Sequence, residues 1–281
     1  MTETSPILLW FRRDLRLAEH PALSAAVATG RPVIPVLVLD EVVEGYGAAP
    51  KFRLGAGIGA FQRALDGAGS KLVLRRGQSV EVLRALIAET GARSVWWTRT
   101  YDPDAIARDT AVKSALKAQE IDAQSFPGHL LFEPWTVATK TGGYYRVYTP
   151  MWKSVRDADL AEPEPAASRI PAPDVWPASD ILENWKLDAQ MHRGASVVWP
   201  HMRVGEAAAR ARLDEFVERW LPHYDGNRDL PAVPGTSGLS QNLALGEIGP
   251  RTCWHAGHLA LQAGKAGAET FLKELVWREF A

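Results

Sequence analysis

A single cysteine, Cys253, occurs in 281 residues. A lone thiol excludes an internal disulfide and fits a reducing, cytoplasmic setting. Charge of one sign is not in excess either, with a formal net charge of -1. No global basic bias announces nucleic acid, so a nucleic-acid site would have to be a local patch. The apolar runs are too short to cross a bilayer, and no membrane partner is expected. The opening stretch Met1–Pro6 lacks a basic segment followed by an apolar one, so no signal peptide is read there. Among the seven histidines, His255 and His258 lie at i and i+3 without a second ligand pair, and no metal site is expected. No Gly-x-Gly-x-x-Gly follows the first expected strand, which excludes a dinucleotide fingerprint.

What is present is a globular composition, 46% apolar and 23% charged. The length suits two domains. Aromatic residues are only 9%, yet eleven are tryptophan, expected in cores and interfaces.

The first half alternates between strands and helices. Strands are expected at 7–10, 33–39, 71–74, 94–98 and 121–125. Helices are expected at 20–29, 51–65, 80–89 and 104–119. The run Val33–Leu39 is almost wholly apolar, as a strand covered on both faces should be. Short connections between alternating elements predict a doubly wound, parallel, five-stranded α/β sheet of Rossmann-like type. Ligands of such sheets sit off the carboxyl ends of the strands. Arg12, Arg13, Asp14 and Asp40 fall there, either toward a ligand or as caps and ion pairs.

Residues 157–180 are rich in proline, alanine and acids and read as an extended surface linker. The α/β domain is assigned to residues 1–135, the interdomain linker to 136–194, and a helical domain to 195–281. Within the latter an apolar stripe runs through Ala208, Leu213, Phe216, Val217 and Trp220.

Four blocks near the end carry the chemistry: Tyr224-Asp225-Gly226-Asn227-Arg228-Asp229, Gly235-Thr236-Ser237-Gly238-Leu239-Ser240, Leu245–Arg251, and Glu274-Leu275-Val276-Trp277-Arg278-Glu279-Phe280. Thr236, Ser237 and Ser240 can be read as caps of a short helix with Leu239, Leu243 and Ala244 buried, Gly246 as its stop, and Pro250 opening the next. The same residues can be read as hydroxyls and free N–H groups that hold a phosphate or pyrophosphate. Glu274, Trp277 and Arg278 share one helix face at i, i+3 and i+4. One reading makes Glu274–Arg278 an ion pair and Trp277 core; the other makes the face a recognition surface.

The order and spacing of these blocks, with Leu9–Arg16 and His20–Leu23, resemble the cryptochrome/DNA photolyase family over nearly the whole chain. Bacterial deoxyribodipyrimidine photolyases are the most similar branch. The resemblance implies a helical FAD-binding domain, with Tyr224, Thr236, Ser237, Gly238, Leu239, Ser240, Phe271 and Arg278 as flavin contacts. It implies DNA containing pyrimidine dimers as partner, met by Arg228, Glu274, Trp277 and Arg278, with Glu274 and Trp277 acting on the dimer. The implied activity is light-driven splitting of cyclobutane dimers by an electron from reduced FAD, in a monomer. A light-sensing cryptochrome, or an inactive fragment keeping only the α/β domain, is the alternative. A folate or deazaflavin antenna is implied near Tyr101–Asp109, although Asp104-Ala105 replaces the Asn-Glu of folate-binding relatives. Against the family's pattern, Gly238 replaces a common arginine, Gln241 a frequent proline or small residue, and Gly249 a frequent serine cap.

The last helix shows no stop signal after Trp277. The chain is therefore expected to be a C-terminally truncated fragment that holds FAD weakly or not at all. It would expose Leu272, Leu275, Val276 and Phe280 and aggregate through them.

Overall fold

The computed structural model describes residues 4–280. Met1–Glu3, half of the stretch read for a signal peptide, lie outside the described residues. Five parallel strands make one sheet in the order β3-β2-β1-β4-β5. They are β1 (Ile7–Phe11), β2 (Val33–Leu39), β3 (Val73–Arg76), β4 (Ser94–Thr98) and β5 (Asp122–Phe126). Helices α1 (Pro21–Ala28), α2 (Glu41–Glu44), α3 (Ala48–Gly67), α4 (Ser79–Thr90) and α5 (Pro103–Lys117) connect them. The expected α/β class is the observed one. Every residue of β1, β2 and β4 is buried, as a parallel sheet covered on both faces requires.

The third strand lies two residues later than expected. Its register with β2 starts at Val36 opposite Val73 and ends at Leu39 opposite Arg76. Arg75 and Arg76 pair although they are charged, because β3 is an edge strand and edges tolerate exposed cations. Lys71 and Leu72 precede the pairing.

Beyond the sheet the helices are α6 (Tyr148–Val155), α7 (Gly194–Val198), α8 (Glu206–Glu215), α9 (Tyr224–Asn227), α10 (Ser240–Ala244), α11 (Pro250–Gln262) and α12 (Ala268–Phe280). Two apolar clusters flank the sheet, and a third fills the helical half. The third takes in Leu131, Met151, Trp152 and Val155, so α6 from the expected linker span packs with the helices. Residues 158–180 run without helix or strand along the α/β layer, where Ile170 is buried and Val33 N–H donates to the Pro171 carbonyl. In α8 the inward residue is Ala209, not Ala208, and the stripe continues as a π-helical turn through Phe216.

Leu272, Leu275 and Val276 are buried, contrary to the expectation that they would be exposed, and Phe280 is half-buried. Together α6, α9 and α11 pack on α12 and cover that face. Among the described residues no helix is long and apolar enough to cross a membrane, and no group of three or more His, Cys, Asp or Glu could hold a metal.

Candidate flavin and DNA-lesion site

Buried polar contacts seat the helical half on the sheet. Arg53 of α3 grips Glu247 with two hydrogen bonds, Nη1 to Oε1 at 2.9 Å and Nη2 to Oε2 at 2.5 Å. Such a bidentate pair is stiff as well as charged. Asn242 adds a donor to Glu247 at 2.6 Å, and Gln241 accepts from Arg53 Nε at 2.8 Å. Gln241 thus has a structural partner in Arg53. Glu19, buried and held at φ +49°, reaches from the α/β layer to cap α11. Its carboxylate accepts from Arg251 N–H at 2.9 Å, Thr252 N–H at 2.8 Å and the Thr252 hydroxyl at 2.7 Å. A Cβ on Gly249 would lie 2.0 Å from that carboxylate, so the helix start is capped by Glu19 of the α/β layer and leaves no room for a side chain at Gly249.

The segment Thr236–Ser240 does not cap α10 with a side chain. Its N-cap is Leu239, with no side-chain hydrogen bond to the helix, and Ala244 is exposed whereas Asn242 is buried. The cap reading of Thr236 and Ser237 is corrected on this point. The backbone of the segment is pulled inward by Arg212, whose Nη2 donates to Thr236 O at 2.9 Å and Nε to Ser237 O at 2.7 Å. Arg212 also stacks on Trp220 at 4.0 Å. Gly235 lies so close to Asn227 that a Cβ would meet its carbonyl oxygen at 2.4 Å. Gly238 adopts φ +63°, and a Cβ there would approach Arg212 Nε at 3.2 Å. With Thr236, Gly238 and Ser240 exposed, hydroxyls and an uncapped helix start face outward over a buried-edge guanidinium. That donor set suits a phosphate or pyrophosphate.

Tyr224 and Phe271 are buried against Phe216, with ring centroids 5.4 Å and 5.0 Å from it. Burial, then the nearby Glu274 carboxylate, raises the Tyr224 pKa. Gly267 lets α12 approach Leu221, whose carbonyl oxygen would be 2.2 Å from an added Cβ.

Glu274 pairs with Arg228 Nη1 at 2.5 Å, not with Arg278. Arg228 is also 5.8 Å from the Tyr224 ring centroid. Trp277 is 43% exposed, so it is not core. Its indole stacks on Tyr148, centroids 3.8 Å apart and planes 7° from parallel. The Tyr148 hydroxyl donates to the Lys273 carbonyl at 2.6 Å, and burial followed by Glu274 pushes its pKa up to about 12. Lys273 O is also the helical acceptor for Trp277 N–H by i to i+4 geometry. Tyr148 therefore fixes Trp277 through both ring and backbone. Arg278 lies elsewhere, donating to His129 O at 2.9 Å and pairing with Glu279 at 2.9 Å. The Glu279 side chain is buried and accepts from Leu131 and Phe132 N–H, and burial lifts its pKa to about 7. Glu274, Trp277, Arg228 and Tyr224 are brought together; Arg278 holds the loop at His129.

At the strand ends, Arg12 and Arg108 lie over Trp10 at 4.3 Å and 4.9 Å. They pair with Asp109 and Asp40 at 3.1 Å and 2.8 Å. Asp40 also caps α2 through Val42 and Val43 N–H. Arg13 pairs with Asp102 at 2.6 Å. These residues serve as caps and ion pairs. In the span read for an antenna, Ala105 is buried and Asp104 is exposed in the first turn of α5.

Tyr148, Arg212, Glu19 and the Arg53–Glu247 pair were not legible as site residues. Tyr148 meets α12 across 125 residues of chain, and no local periodicity signals such a contact.

The deoxyribodipyrimidine photo-lyase of Agrobacterium fabrum is 42% identical over 283 residues, covering 99% of this chain and 58% of that protein. The crystal structure of a bacterial class III photolyase from Agrobacterium tumefaciens superposes with a TM-score of 0.91 at 41% identity, covering 100% of this chain and 58% of that one. An uncharacterized 31.6 kDa protein of Synechococcus sp. PCC 6716 is 31% identical, covering 97% of this chain and 98% of its own length. The chain thus spans about 58% of the length of the named photolyases it matches. The family model described as DNA photolyase matches residues 7–172, and the chain belongs to the DNA photolyase family.

Proposed function

We propose that this chain carries the lesion-recognition face and the flavin phosphate site of a light-driven DNA repair enzyme acting on cyclobutane pyrimidine dimers. The observation that carries the reading is the half-exposed Trp277, held flat by Tyr148 beside the Glu274–Arg228 pair. A rigid indole gives extruded bases a stacking surface, typically about 1–3 kcal/mol per base. Damaged bases stack and pair poorly, so a dimer leaves the duplex at lower cost than an intact step. Glu274, oriented by Arg228, supplies a carboxylate acceptor to base N–H groups. Arg228 supplies positive charge where the strand backbone passes.

Thr236–Ser240, backed by Arg212, would hold the FAD pyrophosphate, and Tyr224 with Phe271 would wall the same pocket. Reduced FAD, when bound, supplies photoexcited one-electron transfer to the dimer. The chain's own residues position the dimer and exclude water. The protein acts as a monomer on this reading.

The test is loss of dimers from a defined oligonucleotide incubated with protein purified from its own cells, reduced and lit with blue light. Repair in light and none in the dark supports the proposal; equal repair in the dark, or none in light, rejects it.

A further inference from the structure

Between Glu133 and Asp157 the chain carries Lys140, Arg146, Lys153 and Arg156 and not one acidic residue. In a chain with 32 basic and 33 acidic residues, that is a strong local asymmetry. All four cations are exposed, and of the four only Arg156 has an ion-pair partner among the described residues, Asp157 at 3.1 Å. Large rings stand out of the same stretch: Trp135 is 67% exposed and Tyr144 is 74% exposed. Arg146 lies 5.6 Å from the Tyr144 ring centroid.

The stretch is ordered by its own contacts. Thr139 closes a turn, accepting from Gly142 N–H at 2.9 Å and donating its N–H to Gly143 O at 2.7 Å, with Lys140 at the tip. It then enters α6, whose apolar residues Met151, Trp152 and Val155 face inward and leave no apolar face for a lipid surface. Its first residue is Tyr148, the ring beneath Trp277. The cationic, aromatic stretch is therefore continuous with the lesion face.

Exposed cations interleaved with exposed aromatics match one chemistry best, a polyanion that carries flat rings. We propose that residues 134–156 form a sequence-independent contact for a DNA strand leading to or from Trp277. Lys140, Arg146 and Lys153 meet phosphates, and Trp135 and Tyr144 lie under unstacked bases. This rests on the reading that DNA is the partner of the Trp277 face, but the residues and their signature are different. Phosphate contacts act on damaged and undamaged strands alike and release counterions. Stacking at Trp277 acts on the lesion only.

The experiment measures binding of the whole chain to an undamaged oligothymidine and to the same strand with one thymine dimer, over a salt series. The triple variant Lys140→Gln/Arg146→Gln/Lys153→Gln changes exposed side chains only, and circular dichroism checks its fold. It should weaken both strands by the same factor, at least about ten-fold, and lower the slope of log K against log salt by about 2, three contacts on a single strand. Trp135→Ala or Tyr144→Ala should each weaken single-strand binding at least about five-fold. Lesion preference with an unchanged salt slope in the triple variant overturns this proposal and keeps the lesion reading. Equal binding of both strands, lost in the triple variant, keeps this proposal and overturns the lesion reading. Absence of DNA binding by the wild type overturns both. Binding to phosphatidylserine vesicles that depends on these lysines, without an effect on DNA, overturns the strand contact.

Discussion

The indole of Trp277 lies on the phenol of Tyr148 with centroids 3.8 Å apart and planes 7° from parallel. Phe280 is nearly equidistant from both rings, 5.5 Å from Trp277 and 5.8 Å from Tyr148, and close to perpendicular to each. It therefore stands beside the stack and leaves the second face of the indole without an aromatic partner among the described residues. With the indole 43% exposed, this is the arrangement that the proposed base-stacking role requires.

Trp277→Ala should reduce affinity for dimer-containing DNA by about 1–3 kcal/mol while barely changing affinity for undamaged DNA. Fluorescence anisotropy on matched oligonucleotides reads this ratio. A loss shared equally by both strands would make Trp277 a structural residue. Tyr148→Phe, which keeps the ring and removes the hydroxyl, should retain most of the discrimination.

The Arg228–Glu274 contact makes two opposite predictions. Arg228→Ala should weaken binding to all DNA and lower the salt slope by about 1. Glu274→Gln frees the guanidinium from its 2.5 Å partner, so it should raise affinity for undamaged DNA and lower lesion preference. Identical effects of the two substitutions on undamaged DNA would contradict the assignment.

Arg53→Met should destabilise the protein by about 3–5 kcal/mol, because it leaves the fully buried Glu247 carboxylate unpaired. Urea unfolding measures it. Adding Glu247→Leu should recover much of the loss, since an apolar pair removes the stranded charge. No recovery would mean that the pair does more than satisfy itself.

Asp14 gives a pH signature. Burial alone would raise its pKa, but the His20 hydrogen bond and charge, with Arg12, outweigh burial and hold it well below the usual 3.8. A carboxyl depressed in the folded state stabilises above its unfolded pKa, and that contribution fades as pH falls below it. Asp14→Asn should therefore cost about 2 kcal/mol or more near neutral pH and progressively less below about pH 4. A cost that does not change with pH would show that the ion pair is not its source.

Parts of this were readable in the sequence because the signal is local. Val33–Leu39 and Ser94–Thr98 are apolar runs between turn residues, and both strands fall at those bounds. Where the signal is remote, reading failed. The β3 strand begins inside its apolar run at Val73 and extends over Arg75 and Arg76, which pair with Val38 and Leu39 of a strand distant in sequence. Leu272, Leu275 and Val276 looked uncovered, yet α11 and α9 cover them together with α6, which comes from the span read as linker. Thr236 and Ser237 looked like caps because the spacing fits, but Arg212 holds their carbonyls and shifts the helix start to Ser240. The grouping of Glu274 with Trp277 was visible from helical spacing, whereas the partners Arg228 and Tyr148 come from 46 and 125 or more residues away.

The most direct measurement is the dimer content of an oligonucleotide carrying one thymine dimer, followed by chromatography during incubation with the reduced protein purified from its own cells. We expect the dimer to disappear under blue light, to persist in the dark, and to persist under light with Trp277→Ala at protein concentrations below that variant's dissociation constant. Persistence of the dimer under light with wild-type protein, or its loss at equal rate in the dark, would contradict light-driven repair by this chain's lesion face.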